Sequence, residues 1–350
     1  MRMRPLRYLV AYTLPVLVLL GFWLQGFWLF VPVLYLYGLL PLLELLLPAS
    51  VNNLTAEEEQ EVAQNPLYDR LLYLALPVQF AVLLCFLLVV PALQGMALLG
   101  AIVSMGLMCA TFGINIGHEL GHRASQREQW MAKLLLLSSL DMHFFIEHNR
   151  GHHRRVATEE DPASARLGET LYHFWWRSTR DGYRSAWQLE AERLHKHGQR
   201  WLSLQNQMLA FQLMQIGFVA LVTLVFGFKA ALCFVAAAIM GILLLETVNY
   251  IEHYGLSRRK EESGRYERVM PAHSWNSNHL IGRMTLFELS RHSDHHFRAS
   301  RKYPLLRHHE HSPQMPTGYP GMMLLASVPP LWFRVMHPRL DALAENAQPA

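Results

Sequence analysis

Nine histidines in this chain fall into four groups whose spacing suits metal ligation. His118 and His122 stand four apart in Gly117-His118-Glu119-Leu120-Gly121-His122-Arg123. If the apolar run ahead of them continues as helix, both rings occupy one face, one turn apart. The second group is Glu147-His148-Asn149-Arg150-Gly151-His152-His153, where His148 and His152 repeat that spacing and His153 lies beside them. The third is the single His253 in Asn249-Tyr250-Ile251-Glu252-His253-Tyr254. The fourth is Arg291-His292-Ser293-Asp294-His295-His296, with spacings of three and four. Neutral imidazole is the commonest protein metal ligand, and an ion takes roughly four to six donors. Nine rings therefore suffice for two ions with positions left open. An all-imidazole set without thiolate suits iron, zinc or copper, and open positions at iron suit dioxygen chemistry.

Each group also carries a carboxylate: Glu119, Glu147, Glu252 and Asp294. Such a carboxylate can ligate, or accept the far N–H of a metal-bound ring and fix its tautomer; the second role is expected here. His273 and Asn276, within His273-Ser274-Trp275-Asn276-Ser277-Asn278-His279, are expected to orient the site rather than ligate. His143, His173, His195, His197 and His337 read as surface or internally satisfied residues. The run His308-His309-Glu310-His311 reads as a solvated loop. His253 is supported by a polar face running up to it through Glu246 and Asn249, and Asn115 approaches His118 and His122 in the same way. Glu246 lies within an apolar run, where charge is costly. It reads either as functional or as a hydrogen-bonded contact between helices.

The elements that must position these rings are apolar. Of 350 residues, 52% are hydrophobic and only 17% charged, against about 25% charged in soluble domains. The chain thus reads as one all-α integral membrane domain over residues 1–350. Six spans are expected at residues 8–24, 27–47, 71–90, 96–117, 208–226 and 230–250, arranged as three hairpins because the turns between members of each pair are so short. A signal peptide is not expected at residues 8–24, since no small-residue cleavage site follows. Residues 131–146, about 24 Å as helix, are too short to cross a core of about 30 Å and read as re-entrant or interfacial. Residues 319–332 carry three prolines and read as surface-hugging. Cys85, Cys109 and Cys233 all fall in apolar runs and read as small buried hydrophobes, with no disulfide framework.

Lysine and arginine concentrate in residues 118–206 and 251–350, while the short turns are nearly free of them. By the positive-inside tendency both termini and both long polar parts face the cytoplasm. All the histidine groups then form a cap on that side of the bilayer. Arg150, Arg154 and Arg155 beside the second group suit an acidic electron carrier; contact with lipid headgroups serves equally for any single one.

HELGHR at 118–123, EHNRGHHRRVATEEDPASAR at 147–166, NYIEHYGL at 249–256, HSWNSNHL at 273–280 and RHSDHH at 291–296 closely resemble the bacterial integral-membrane alkane 1-monooxygenases. These are the alkane omega-hydroxylases with a histidine-rich non-haem di-iron centre. The resemblance runs over residues 41–338. It implies six transmembrane helices and two irons held by His118, His122, His148, His152, His153, His253, His292, His295 and His296. It implies O2 as co-substrate and hydroxylation of medium- to long-chain n-alkanes to 1-alkanols. Electrons would come from rubredoxin, itself reduced by a rubredoxin reductase; no nucleic-acid partner is implied. The chain departs from the family after the last motif, at Phe297-Arg298-Ala299-Ser300, and in a short stretch ahead of the first span. It also has Leu36, within Tyr35-Leu36-Tyr37, where relatives can carry tryptophan. Bulk there is thought to limit chain length in the family, so leucine implies room for longer alkanes.

A substrate dissolved in the bilayer is expected to run end-on toward the metals, through a channel lined by residues 27–47, 71–90 and 96–117. Tyr35, Leu36, Asn115 and Glu246 are its candidate residues. Three other readings remain open at this point: a membrane acyl desaturase or hydroxylase of the same metal class, an intramembrane zinc protease using only His118-Glu119-x-x-His122, and a metal carrier or transporter.

Overall fold

Every long apolar run becomes a helix, and several run further than hydropathy alone indicates. The computed structural model describes residues 4–203 and 205–346. Residues 1–3, 204 and 347–350, which include Arg2 and the extreme ends of the expected single domain, lie outside them. In chain order, α1 is Arg4–Leu24 and α2 is Gly26–Leu46. The turn between them places both Gln25 (φ 59°) and Gly26 (φ 54°) in the left-handed region. The short α3 (Ala56–Gln64) starts with a reciprocal cap between Thr55 and Glu58. Then come α4 (Pro66–Ala92) and α5 (Gly95–Gly121). Asn65 caps α4 by accepting from the Leu67 N–H at 3.0 Å, and Pro66 fits the first helical position.

The next helices lie in the first long polar part: α6 (Gln126–Leu137), α7 (residues 144–155) and α8 (Leu171–Lys196). After them α9 (Gln207–Phe226) and α10 (Phe228–His253) meet at Gly227, whose φ of 88° suits glycine. The C-terminal part adds α11 (Leu280–Thr285), α12 (His292–Phe297), α13 (Tyr319–Ala326) and α14 (Pro329–Asn346). Six helices (α1, α2, α4, α5, α9 and α10) are long and apolar enough to cross a membrane among the described residues. Apart from two isolated bridges, the described residues form no strand.

Helix α10 is the axis of the fold. Its contact with α5 is close because each helix offers a glycine to the other. A Cβ on Gly241 would lie 2.6 Å from Cys109 Cβ, and one on Gly106 2.8 Å from Met240 Sδ. Helix α9 by contrast turns Leu213, Ile216 and Leu224 outward, as a lipid-facing helix does.

Two segments differ from the sequence reading. Residues 131–146 are not one continuous segment: the chain breaks after Leu137, turns through Leu140 (φ 52°), and starts again as α7. Leu135, Leu136, Met142 and Ile146 are buried in the main core. The break is local, since Asp141 N–H turns back to the Leu136 carbonyl at 3.0 Å. Residues 319–332 are not surface-hugging either. Tyr319, Met322 and Trp332 are buried with Tyr250 and Tyr254 in a second core beside the end of α10. Trp332 packs at ring-centroid distances of 5.1 Å from Tyr250 and 5.2 Å from Tyr254. Burial of that much aromatic surface outweighs the prolines, which sit at helix starts where they are tolerated.

Candidate metal centre

The elongated helices deliver the rings. Helix α5 continues past its apolar run, so His118 lies on its last turn with His122 just beyond. Helix α10 ends on His253. Helix α7 supplies His148, His152 and His153, and α12 supplies His292, His295 and His296. Wide π-type turns interrupt α2 at Tyr35–Leu39, α5 at Cys109–Asn115 and α7 at Glu147–His152. Such turns recur at functional sites because they re-aim side chains without ending the helix.

All nine rings come together, in two sets. His118, His122, His148, His153 and His295 each bring one donor atom within 4.8 Å of the others in the set. His152, His253, His292 and His296 do the same. Nε2 atoms face Nε2 atoms across both: 2.9 Å between His118 and His295, 3.1 Å between His122 and His148, 3.2 Å between His253 and His292, and 3.2 Å between His152 and His296. Burial and the neighbouring rings hold His148, His153, His292, His295 and His296 well below the ordinary imidazole value, and push His122 down to about 3. Buried neutral rings converging lone pairs on a common point are the donor set of a cation site. The Nδ1 atoms of His292 and His296 have no hydrogen-bond partner.

His152 differs. Burial lowers it, but the Asp161 carboxylate more than offsets this and its net shift is upward. Its Nδ1 donates to Asp161 Oδ2 at 2.9 Å, which leaves Nε2 as the bare donor aimed into the four-ring set. Asp161 is itself fixed by the Ser164 hydroxyl at 2.6 Å and the Ala163 N–H at 3.2 Å.

The four expected orienting carboxylates divide. Glu252 does stand by a ring: its Oε1 lies 3.2 Å from His292 Nδ1 and accepts from the Tyr319 hydroxyl at 2.6 Å. The others turn away from the rings and bind arginines or backbone. Glu119 pairs with Arg123 at 2.6 Å and accepts from the Tyr303 N–H. Glu147 pairs with Arg155 at 2.9 Å, and burial followed by repulsion from Asp161 pushes it up to about 7. Asp294 binds Arg301 at 2.9 Å, the Arg307 N–H at 2.9 Å and His309 Nε2 at 2.7 Å. His309 is thus no solvated loop residue; it helps pin the carboxylate of α12. His273 accepts the Met270 N–H, approaches Glu267 and meets the His253 ring through its backbone, while Asn276, in the loop ahead of α11, donates to Gln314.

A Cβ on Gly151 would press on the side-chain ends of Glu147 and Arg155, and their ion pair would have to shift to admit it. Before α12 the chain passes through Phe287 and Glu288, both at positive φ. Buried Glu288 holds this bend by accepting from Tyr8 at 2.6 Å and Arg283 at 2.6 Å. That ties α12 to the start of α1, a link with no motif to announce it.

A groove of about 790 Å³ leads to the rings between α2, α5, α10 and α13. Leu36, Thr111, Asn115, Leu244, Val248 and Met323 are among its walls, and His118, His148 and His292 stand in it. Two channel candidates, Leu36 and Asn115, therefore line it. Tyr35 does not; its hydroxyl accepts from Thr13 on α1. Glu246 opens instead into a smaller polar pocket of about 450 Å³ with Asp141 and His143, behind His148 and His152, and accepts from Asn249 Nδ2 at 3.3 Å. Helix α4 contributes no wall. The expected lining by residues 71–90 is replaced by α10, because α4 buries its inner face against α1 and α5 in the main core.

Of the three arginines expected to dock a partner, Arg150 binds Glu190 at 3.0 Å and Arg155 binds Glu147, whereas Arg154 is exposed. Sequence reasoning passed over Asp161 and Tyr319. Asp161 lies within the quoted stretch EHNRGHHRRVATEEDPASAR, nine residues beyond its ring; nothing marks Tyr319.

Residues 93–326 match the family model described as fatty acid desaturase. The chain is 38% identical over 325 residues, 92% of its length and 85% of the relative's, to alkane 1-monooxygenase 2 of Alcanivorax borkumensis. It is 41% identical over 321 residues to alkane 1-monooxygenase 1 of Pseudomonas aeruginosa, covering 91% and 84% of the two chains. A more distant relative, the xylene/toluene monooxygenase hydroxylase component of Pseudomonas putida, is 29% identical over 68% of this chain and 63% of its own. With nine histidines gathered where α5 and α10 end, and six helices long and apolar enough to cross a membrane, the chain is a multi-pass membrane oxidoreductase that belongs to the alkane 1-monooxygenases, within the wider fatty acid desaturase family.

Proposed function

We propose that the protein hydroxylates the terminal carbon of medium- to long-chain n-alkanes to 1-alkanols, with O2, at two irons held by the nine histidines. The observation that carries this reading is the apolar groove ending on His118, His148 and His292. Five rings would hold one ion and four the other. When bound, such a pair supplies dioxygen activation and insertion of oxygen into a strong C–H bond.

What the chain itself contributes is binding, aim and exclusion of water. An alkane has no polar handle, so affinity must come from burying methylenes, about 0.8 kcal/mol each. Leucines and valine of α2 and α10 supply that surface. The narrow groove lets only a chain end advance between the rings, which favours attack at the terminal carbon. Asp161 keeps the proton of His152 on Nδ1, and Glu252, itself held by Tyr319, faces Nδ1 of His292. The proton held on Nδ1 sets the tautomer of His152 for ligation through Nε2.

The single domain would sit in the bacterial inner membrane as three hairpins, with both termini and the metal centre on the cytoplasmic side. There a rubredoxin, recharged by its reductase, would deliver electrons. Arg154 is the docking arginine this reading relies on, because Arg150 and Arg155 are engaged internally.

The acyl desaturase reading finds no support in the groove, whose walls carry no lysine or arginine for an acidic headgroup. The protease reading would need Glu119 free to activate water, but Arg123 and the Tyr303 backbone hold it. The test is iron content measured alongside 1-octanol formation from octane in reconstituted membranes with rubredoxin. Two irons per chain and octanol are expected. A single zinc, or turnover of an acyl thioester in place of octane, overturns the proposal.

A further inference from the structure

We infer that α8 carries a seat for one anionic phospholipid, separate from the alkane groove. Helix α8 is amphipathic. Its inner face buries Leu171, Phe174, Ser178 and Leu194, while Tyr172, Trp176, Arg180, Tyr183 and Arg184 all turn outward. These outward residues recur every three or four positions and form one stripe. Trp176 is 68% exposed, a large apolar surface that water disfavours.

The stripe borders a groove of about 1070 Å³ whose far wall is Leu243 of α10. Trp175 fixes the depth of this groove by donating to Thr247 Oγ1 on α10 at 3.0 Å. At 1.5 Å per residue, Thr247 lies about 9 Å and Leu243 about 15 Å along α10 from His253 toward the membrane interior. Helix α8 therefore lies alongside the histidine-side half of α10, and a lipid seat requires its outward stripe to stand at the level where acyl chains give way to headgroups. Tryptophan and tyrosine favour that level because one end of each ring system is apolar and the other wet.

Charge selects the headgroup. Arg180 and Arg184 are the cations on the stripe: Arg180 holds Asp181 in an exposed two-point pair at 2.8 and 3.0 Å, and Arg184 approaches the same carboxylate at 3.7 Å. One carboxylate leaves the pair with a net positive charge. The guanidinium of Arg184 is the looser, 66% exposed and at the longer distance. Arg177, one turn back, is not available, since it is buried in a two-point pair with Glu169. A phosphodiester with no compensating amine fits this arrangement: its phosphate between Arg180 and Arg184, its glycerol against Tyr183, and an acyl chain lying along Trp176 and Leu243. A zwitterionic lipid brings its own cation and gains less.

The inference needs only that α10 spans a membrane, so it stands or falls apart from the alkane reading. The full-length protein is reconstituted in equal amounts of phosphatidylglycerol and phosphatidylcholine, re-extracted in mild detergent, and its retained phospholipid identified by mass spectrometry. Phosphatidylglycerol should be retained preferentially, about fivefold less so for each arginine removed in Arg180→Gln and Arg184→Gln. Arg265→Gln, a change at an exposed arginine elsewhere, should retain it as the unaltered protein does. Equal retention of both lipids, or unchanged preference in the Arg180→Gln/Arg184→Gln variant, overturns the inference. Should the double variant fail to fold, the single Arg184→Gln variant decides by the same measure, since that side chain is mostly in the open.

Discussion

Asp161 Oδ2 accepts the Nδ1 proton of His152 at 2.9 Å, with both side chains sealed from solvent. His152 alone among the rings outside the spans has its titration moved upward. Asp161 thus sets which nitrogen of His152 faces the four-ring set. Asp161→Asn keeps the shape but weakens that hold. Metal affinity at this set should fall about 10- to 100-fold, as removal of such partners commonly does. Metal content after dialysis against a graded chelator series would measure it, and unchanged retention would count against the role given to Asp161.

His295→Ala and His309→Ala separate ring from support. His295 faces His118 at 2.9 Å and His153 at 3.1 Å within the five-ring set. Its loss should abolish alkanol formation and remove about one metal per chain, because one of two donor sets is left open. The His309 ring meets the back of α12 through Asp294 and Phe297, away from the ring sets. Its replacement should lower stability by about 1 kcal/mol, the usual net value of a hydrogen bond, while metal and activity remain.

Leu36→Trp should shorten the groove. Leu36 forms part of its wall on α2, opposite α10. The larger ring would occupy space now open to methylenes, so turnover should shift toward shorter alkanes. Competition between octane and hexadecane reads this directly, and an unchanged ratio would mean that the substrate takes another path.

Gly151→Ala should misplace two groups at once. The added methyl presses on the side-chain ends of Glu147 and Arg155, so their pair must shift inside a buried region. A destabilisation of about 2 to 4 kcal/mol is expected from overpacking together with a loosened ion pair, read as a lowered melting temperature.

Acid should loosen the packing of α8 through Glu169. Burial alone would raise this carboxyl, but Arg177 and the Arg166 N–H bind its charged form and its net shift is downward from 4.5. A group depressed on folding contributes stability above its unfolded value, and that contribution disappears as pH falls through the folded one. Melting temperature should therefore hold from neutrality to about pH 4.5 and then drop. The drop should be smaller in Glu169→Gln, which starts less stable at pH 7; parallel curves for the two proteins would refute the assignment.

The histidines were legible because ligand spacing is local: four residues apart on a helix is one turn, whatever surrounds it. Glu252 was legible for the same reason, being adjacent to His253, although it serves His292 instead. Asp161, Glu288 and Tyr319 were not, since each meets its partner across a loop or between distant helices, where no periodicity operates. The groove walls show a different limit. Helices α4 and α10 are both apolar all round through their middle turns, so hydropathy there cannot tell a face turned to lipid from one turned to an internal groove. Only the packing of α10 against α5, through Gly106 and Gly241, settles that. Residues 319–332 were misplaced because three prolines outweighed three large side chains in the reading, whereas in the fold buried aromatic area dominates.

The wide turns at Tyr35–Leu39, Cys109–Asn115 and Glu147–His152 carry a final implication. One residue of helix is about 100° of rotation. Removing a single residue from the wide turn of α5 would let it close to an ordinary α turn and so undo the local re-aiming that carries His118 toward His295 and His122 toward His148. The centre is therefore specified by a count of peptide units as strictly as by its imidazoles, and one-residue deletions should be harsher than most substitutions.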